Sequence, residues 1–326
     1  MEFNIKQPFK NTSFNDLGFG TKITAAGERL IHKDGSFNII RTGRKSWTPY
    51  QVLLGMTSTK FTLFSLTFFI LINGVFASLF MLIGIEQLNG VPKGNFINDF
   101  LYAFFFSVQT FTTVGYGGIN PVGISANFVA SLCASIGLIA FALITGLFFA
   151  RFSKPRSHIA FSKKAILTVY KEGFRCFQFR IVNTRSHKII DLEATVIFTW
   201  LETAGNEMKR HYANLKLERN KVFLFPLNWT IVHPMTKESP LFGKTVAEIA
   251  KIHGEFMVML KGFDESYNQL IHTNTSYIAK DMETDVKFHP MYTSSANRPT
   301  VLHLDCIDKL VSLESTTSST DDTMVK

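Results

Sequence analysis

The sequence predicts a membrane unit of two spanning α-helices with a re-entrant helix between them, followed by an all-β sandwich. Three observations carry that prediction. Residues 61–85 and 119–150 are charge-free apolar runs of 25 and 32 residues, and about 20 apolar residues suffice to cross a hydrocarbon core of about 30 Å. Between them, Phe100-Leu101-Tyr102-Ala103-Phe104-Phe105-Phe106 is apolar but too short to cross, and it leads into Thr112-Thr113-Val114-Gly115-Tyr116-Gly117. Beyond Ser157 the apolar period changes to two, as in Cys176-Phe177-Gln178-Phe179-Arg180-Ile181, where alternate side chains face opposite sides of a sheet.

Residues 1–46 are polar and basic, with no apolar core of signal-peptide length at the start. They are expected to be an N-terminal cytoplasmic segment, mostly extended or disordered, with Phe37–Ile40 as a short strand. The first span then serves as its own insertion signal. Residues 47–57 place Pro49 near a helix start beside Trp47, Tyr50 and the cations Arg44 and Lys45, a composition suited to a helix lying in the headgroup layer.

The pore unit is placed at 58–156, with an outer helix over 60–86, a short helix over 97–111 and an inner helix over 121–152. Arg41, Arg44, Lys45 and Lys60 precede the first span and Arg151, Lys154 and Arg156 follow the second, while the connection between them carries only Lys93. The positive-inside rule puts both termini in the cytoplasm. A net charge of +9 distributed in this way points to an anionic membrane face, not to nucleic acid.

The stretch Thr113–Gly117 reads TVGYG, the loop with which potassium filters replace an ion's water shell by rings of backbone carbonyls. The spacing has a physical reason: carbonyls that all point to one axis require backbone angles a Cβ resists at alternate residues, and Gly115 and Gly117 supply them. Thr113 can add its hydroxyl as the innermost ring, and Tyr116 is expected to wedge the loop against its surroundings. Irregular backbone at membrane depth is tolerated only where it lines a water-filled path or is buried in protein.

Strands are predicted at Ala165–Tyr170, Arg175–Asn183, Ala194–Leu201, Lys221–Leu227, Phe256–Phe263 and Gln269–Ile278, with turn residues at Gly173, Gly205-Asn206 and Asn220. With one short helix near Lys244–Ile252, they indicate an antiparallel sandwich of about seven strands over 157–311. Residues 312–326 are rich in Ser, Thr and Asp and are expected to be a disordered tail. Cys133, Cys176 and Cys306 show no pairing pattern. No Gly-rich phosphate loop, zinc spacing or catalytic constellation is present, so no cofactor is expected and the chain is not read as an enzyme. His233, His253, His272 and His289 are taken as structural or surface residues. The first span holds no Arg or Lys, so no voltage-sensing helix precedes the pore loop.

Several separated stretches resemble the inward-rectifier potassium channels, in particular their prokaryotic, KirBac-like branch. They are Phe106-Ser107-Val108-Gln109-Thr110 leading into Thr112–Gly117, Ala150–Pro155, Trp229–Met235 with Glu238–Gly243, and Ser276-Tyr277-Ile278. The resemblance covers about residues 35–305. It implies a homotetramer in the bacterial inner (plasma) membrane, with an interfacial slide helix, outer helix, pore helix, filter and inner helix, and with an immunoglobulin-like cytoplasmic sandwich that extends the pore. The implied function is passive K⁺ conduction, gated by lipid or ligand through that domain.

By matching position, the resemblance implies a filter of Thr113, Val114, Gly115, Tyr116 and Gly117 supported by Gln109 and Thr112. It implies a cavity lined by Phe141 and Thr145, a hydrophobic gate at Phe149, and a loop narrowing the cytoplasmic pore at Lys261, Gly262 and Phe263. Anionic lipid, phosphoinositide included, would bind Lys60, Arg151, Lys154 and Arg156. Gly137 and Gly146 are expected to allow bending or close packing.

The chain departs from the family pattern in four places. Phe141 stands where strong rectifiers place an acid, and Lys261 where they have Glu before the Gly, so weak rectification is expected. Gln109 replaces a common Glu behind the filter and Gly118 a common Asp after it. Two rival readings follow: a weakly selective cation channel, which the intact Gly115-Tyr116-Gly117 argues against, and a non-conducting membrane-anchored sensor, which has no need of a filter.

Overall fold

The computed structural model describes residues 18–19, 29–43, 48–92, 94–154, 157–170, 173–204, 207–295 and 298–313. They belong to two compact units, Thr42–Lys154 and Met1–Arg41 with Pro155–Lys326.

The first unit opens with α1 (Pro49–Gly55), whose Pro sits in the first turn where a missing N–H costs nothing. Helix α2 (Ser58–Ile83) begins at Thr57, whose side chain accepts the Lys60 N–H, and stops at Gly84 with φ 102°. It leads into β1 (Leu88–Asn89). The short helix α3 (Phe96–Phe111) is capped by Asn95, whose side chain accepts the Asn98 N–H. Strand β2 (Asn120–Pro121) pairs with β1, and α4 (Ile124–Phe152) follows. This pairing takes Asn120 and Pro121 out of the inner helix, which therefore starts at Ile124 and not at 121. Both α2 and α4 are long and apolar enough to cross a membrane. Their contacts with α3 alternate large and small: Phe76, Ala77 and Phe80 of α2 meet Ala103, Phe106 and Phe111 of α3 and Ala130, Cys133 and Ala140 of α4. Phe80 and Phe106 meet edge to face at 5.1 Å.

The second unit is built on two five-stranded sheets. Its strands in chain order are β3 (Ile159–Phe161), β4 (Ala165–Val169), β5 (Arg175–Asn183), β6 (Ile189–Ala204), β7 (Glu207–Asn214), β8 (Lys221–Leu224), β9 (Asn228–Pro234), β10 (Glu255–Asp264), β11 (Gln269–Ile278) and β12 (Met282–Thr284), with α5 (Val246–Lys251) before β10. One sheet runs β11-β10-β6-β7 with β8 also on β6; the other runs β12-β4-β5-β3 with β9 also on β5. The wholly antiparallel pairing expected from sequence fails at one place. The chain leaves β11 through a single turn at Ala279–Asp281 and β12 then pairs with β4 in parallel.

The core lies between the sheets. Phe177 of β5 stacks on Phe256 of β10 with centroids 4.1 Å apart, and Phe256 meets Phe198 of β6 at 4.8 Å. Beyond this sandwich, β13 (Val286–Phe288) pairs with β16 (Leu310–Ser312), and β14 (Tyr292–Ser295) with β15 (Arg298–Leu302). Ser312 is therefore a strand residue, although the tail was placed from that position; residues from 314 onward lie outside the described set.

His233 of β9 shows why the His-Pro stretch is structural. Its Nδ1 lies 2.7 Å from the Lys216 carbonyl and must donate; its Nε2 lies 2.7 Å from Ser239 Oγ and accepts, while Ser239 Oγ accepts the Leu241 N–H at 3.1 Å. The ring is thus fixed as a neutral tautomer, and burial pushes its pKa down to about 4. The unfolded chain protonates this ring near pH 6.5, before the folded one does, so stability falls as pH drops from about 6.5 to 4, by about 3 kcal/mol at pH 4. Thermal unfolding followed from pH 7 to pH 4 should show this loss in the wild-type chain and a shallower one in His233→Gln. Equal slopes would refute the assignment.

The N-terminal segment departs most from expectation. Residues 29–38 are not loose, and Phe37–Ile40 is not a strand: a single bridge joins Ile31 to Phe37 and the turn docks on β10 and β11. Glu255, 2% exposed, accepts the N–H groups of Leu30 at 2.8 Å and Ile31 at 3.2 Å. Asp281 pairs with Arg29 and, at 2.7 Å, with Lys33. Ser276 and Thr275 donate to the carbonyls of Ile31 and Lys33.

Candidate functional site

The last carbonyls of α3 lack helical partners, as at any helix C-terminus, and here the following loop supplies them. Thr113 N–H donates to Thr110 O at 3.1 Å, and the N–H groups of Val114 and Gly115 both donate to Gln109 O, at 2.9 and 3.2 Å. Thr112 Oγ1 donates to Val108 O at 2.7 Å. The bracing that Gln109 gives the loop is therefore main-chain, and Thr112 adds a side-chain anchor.

The first three donors of the loop are thus turned toward the helix. Thr113, Gly115 and Gly117 have φ of 60°, 52° and 82°, so every second residue is left-handed. Glycine adopts this at no steric cost, while Thr113 does so at a cost of about 1–2 kcal/mol. Among the described residues no carbonyl from Thr113 to Gly117 accepts a hydrogen bond. A row of unpaired carbonyl dipoles on alternating backbone is a ligand set for a desolvated cation. Val114 and Tyr116 are 54% and 80% exposed in the single chain.

On the far side of the loop, Gly90 (φ 88°) leaves no room: a Cβ there would stand 2.0 Å from Gly118 O. Val122 N–H donates to Gln87 O at 2.7 Å. The loop is thereby fixed at both ends, by α3 before it and by the turn after α2 behind it. On α4, Phe141, Thr145 and Phe149 follow one another at i, i+4 and i+8, on one face, and all are exposed.

Arg151 has partners that sequence reading did not foresee. Its guanidinium donates to Leu53 O at 2.5 Å and Met56 O at 2.7 Å and lies 4.5 Å over the ring of Phe61. A cation at the C-terminal carbonyls of α1 complements that helix end and joins α1 to α4. Lys60 and Lys154 are exposed, and Arg156 lies outside the described residues.

Lys261, Gly262 and Phe263 do not form a loop. They lie inside β10: all three pair with β11, Lys261 and Phe263 also pair with β6, and the β6 register shifts at Gly262 between them; the hairpin turn begins at Glu265. Gly262 is buried, and a Cβ there would press on Leu192 and Ile189 at 3.0 and 3.1 Å, so this glycine answers to sheet packing. Lys261 is exposed, and its cross-strand neighbour is the exposed Glu193. Glu193 escaped sequence reading because the strand predicted at Ala194–Leu201 starts one residue beyond it, whereas β6 begins at Ile189.

Known proteins match both units. A family model described as the inward rectifier potassium channel C-terminal domain matches residues 159–325, and one described as ion transport protein matches residues 38–158. The chain is 30% identical over 280 residues to the inward rectifier potassium channel Kirbac3.1 of Paramagnetospirillum magnetotacticum, covering 84% of this chain and 93% of the relative. It is 25% identical over 296 residues to the G protein-activated inward rectifier potassium channel 2 of Mus musculus, covering 82% and 68%. With two apolar helices around an unpaired carbonyl loop, an all-β domain behind them and these matches, the chain belongs to the inward rectifier potassium channel family.

Proposed function

We propose that four copies of this chain surround a K⁺-selective pore that conducts passively across the bacterial inner membrane, with both termini in the cytoplasm. The observation that carries this reading is the Thr113–Gly117 loop, with alternate left-handed residues and carbonyls without protein partners. One loop supplies one side of a cage, and the exposure of Val114 and Tyr116 in a single copy supports further copies as the other walls. Phe141, Thr145 and Phe149 then line the path below the filter, and four Phe149 rings can close it by dewetting.

The test is uptake of ⁸⁶Rb⁺ into liposomes containing the purified chain. Uptake that K⁺ competes, Na⁺ does not and Ba²⁺ blocks is expected. Equal competition by Na⁺ would favour the weakly selective channel.

Rectification is weak in this reading. Position 141 is Phe; the exposed acid across the strand from Lys261, Glu193, is opposed by that lysine, and the nearby Asp191 is paired with Lys221, so the face offers a polycation little net attraction. Currents with cytoplasmic spermine should stay nearly linear, and Lys261→Glu should introduce block. Block of the wild-type chain at micromolar spermine would overturn this. Anionic lipid is assigned to Lys60, Lys154 and Arg156, whose position at the cytoplasmic ends of the spans suits a headgroup. Arg151 contributes there while holding α1.

A further inference from the structure

We propose that Asn73, Ser107 and Cys133 form a polar tie inside the membrane unit that positions the pore helix and thereby sets the K⁺ over Na⁺ discrimination of the loop it carries. The proposal rests on the channel reading above. It concerns three side chains on three elements, α2, α3 and α4, each with 0% exposure within a single copy, so the tie is complete without any neighbour.

Its hydrogen bonds follow from donor counting. Asn73 Oδ1 can only accept, and Ser107 Oγ lies 2.7 Å from it, so the one hydroxyl proton is directed there. The Asn73 amide donates to Phe69 O at 2.8 Å, one turn back on its own helix. The Cys133 thiol lies 3.7 Å from Ser107 O and 3.8 Å from Ser107 Oγ and donates into that pair. The cluster around them is otherwise apolar, with Phe76, Ala77, Ala103 and Phe106 among its buried members and Ile72, Val129 and Ile136 packed against it, and such side chains would fill the space without a polar group. Polar side chains at membrane depth are costly unless they serve a purpose. What they add is direction: apolar packing between helices tolerates sliding and rotation, whereas a hydrogen bond weakens steeply off its axis and is lost once donor and acceptor separate by about 1 Å.

The location of Ser107 gives that direction its use. Two residues on is Gln109, whose carbonyl holds the N–H groups of Val114 and Gly115. Four residues on is Phe111, whose carbonyl sits where a Cβ on Gly137 would be, 2.1 Å away. Ser107 and Phe111 are one turn apart on α3, as Cys133 and Gly137 are on α4. The pore helix therefore docks at two adjacent levels, one by close backbone approach and one by the polar tie. A rotation of α3 that breaks the tie shifts Gln109 and the two loop amides bound to it.

The experiment uses the full chain in detergent and in liposomes. Two quantities are read: the ratio of Na⁺ to K⁺ concentration that gives the same rise in thermal midpoint, which reports ion binding, and Na⁺ competition of ⁸⁶Rb⁺ uptake, which reports conduction. Ser107→Ala is expected to lower the K⁺ preference by about tenfold, the factor equivalent to about 1.4 kcal/mol of lost interhelical hydrogen bonding. Cys133→Ser, which keeps a donor, is expected to retain it, and Cys133→Ala, the milder deletion, to lower it partly should Ser107→Ala not assemble. A lowered midpoint with unchanged K⁺ preference in both deletions would show a merely stabilising role and overturn the proposal while leaving the channel reading intact. A wild-type chain with no K⁺ preference in either readout would overturn the channel reading, and the proposal with it.

Discussion

Gly137→Ala is expected to abolish K⁺-selective ⁸⁶Rb⁺ uptake, while Gly146→Ala leaves it close to wild type. The two glycines lie on the same helix and differ only in what surrounds them. A Cβ on Gly137 would stand 2.1 Å from Phe111 O and 2.8 Å from Phe111 C, both backbone atoms, whereas nothing lies within 4 Å at Gly146. Backbone cannot rotate away as a side chain can, so α3 must retreat by about 1 Å to reach ordinary contact, at a cost of about 1–3 kcal/mol. The stability cost is modest, yet the displacement falls at the C-terminus of α3, whose carbonyls hold the loop amides. A ligand cage that loses about 1 Å of registration loses much of its discrimination, as in any preorganised site. Uptake and Na⁺ competition for the two variants check this, with assembly verified for each. Selective flux in Gly137→Ala at more than about a tenth of wild type would mean that the close approach does not govern the loop.

The parts of this molecule that were legible in the sequence are those where one physical requirement acts on neighbouring residues. Lipid demands long uncharged runs, which marked α2 and α4, and alternating carbonyl geometry demands Gly115 and Gly117. Buried alternation marked β5, β10 and β11. What escaped depends on partners far apart in sequence. Strand β7 carries Lys209, Arg210 and His211 and reads as polar, although Arg210 and Tyr212 are buried. Gly262 reads as a loop glycine, and only the approach of Leu192 and Ile189 from β6 shows that it is packed. Arg151 reads as one of several membrane-face cations, and it also donates to the backbone carbonyls of Leu53 and Met56, which leave no trace in residue identity. The same holds for residues 29–38: the anchoring side chains Glu255 and Asp281 lie more than 200 positions later.

Glu255→Gln combined with Asp281→Asn is expected to release residues 29–38 from the β unit while leaving its sheets folded. Glu255 receives two backbone N–H groups in a buried site. An amide there keeps one acceptor oxygen but turns its NH₂ toward the second N–H, so one buried donor loses its partner, at about 1–3 kcal/mol. Asn at 281 removes the charge that both Arg29 and Lys33 face. Arg29 is mostly buried and Lys33 half exposed, so the first pair carries most of the loss and the second little. Together these exceed about 2 kcal/mol, which raises the undocked population at least about thirtyfold.

Hydrogen exchange checks this directly. The peptide containing Leu30 and Ile31 should exchange faster by at least that factor, and peptides from β10 and β11 should not. Faster exchange in all three would indicate global destabilisation, and unchanged exchange at Leu30 and Ile31 would show that the remaining bonds from Ser276 and Thr275 suffice. The consequence for conduction follows from chain connectivity alone. The β unit is joined covalently to the pore unit before α1 and again after α4, and the first connection transmits force only while residues 29–38 stay docked. Undocking converts a two-point attachment into one. If gating passes from the β unit to the inner helix through both connections, the double variant should uncouple it, leaving ⁸⁶Rb⁺ uptake selective but insensitive to added anionic lipid.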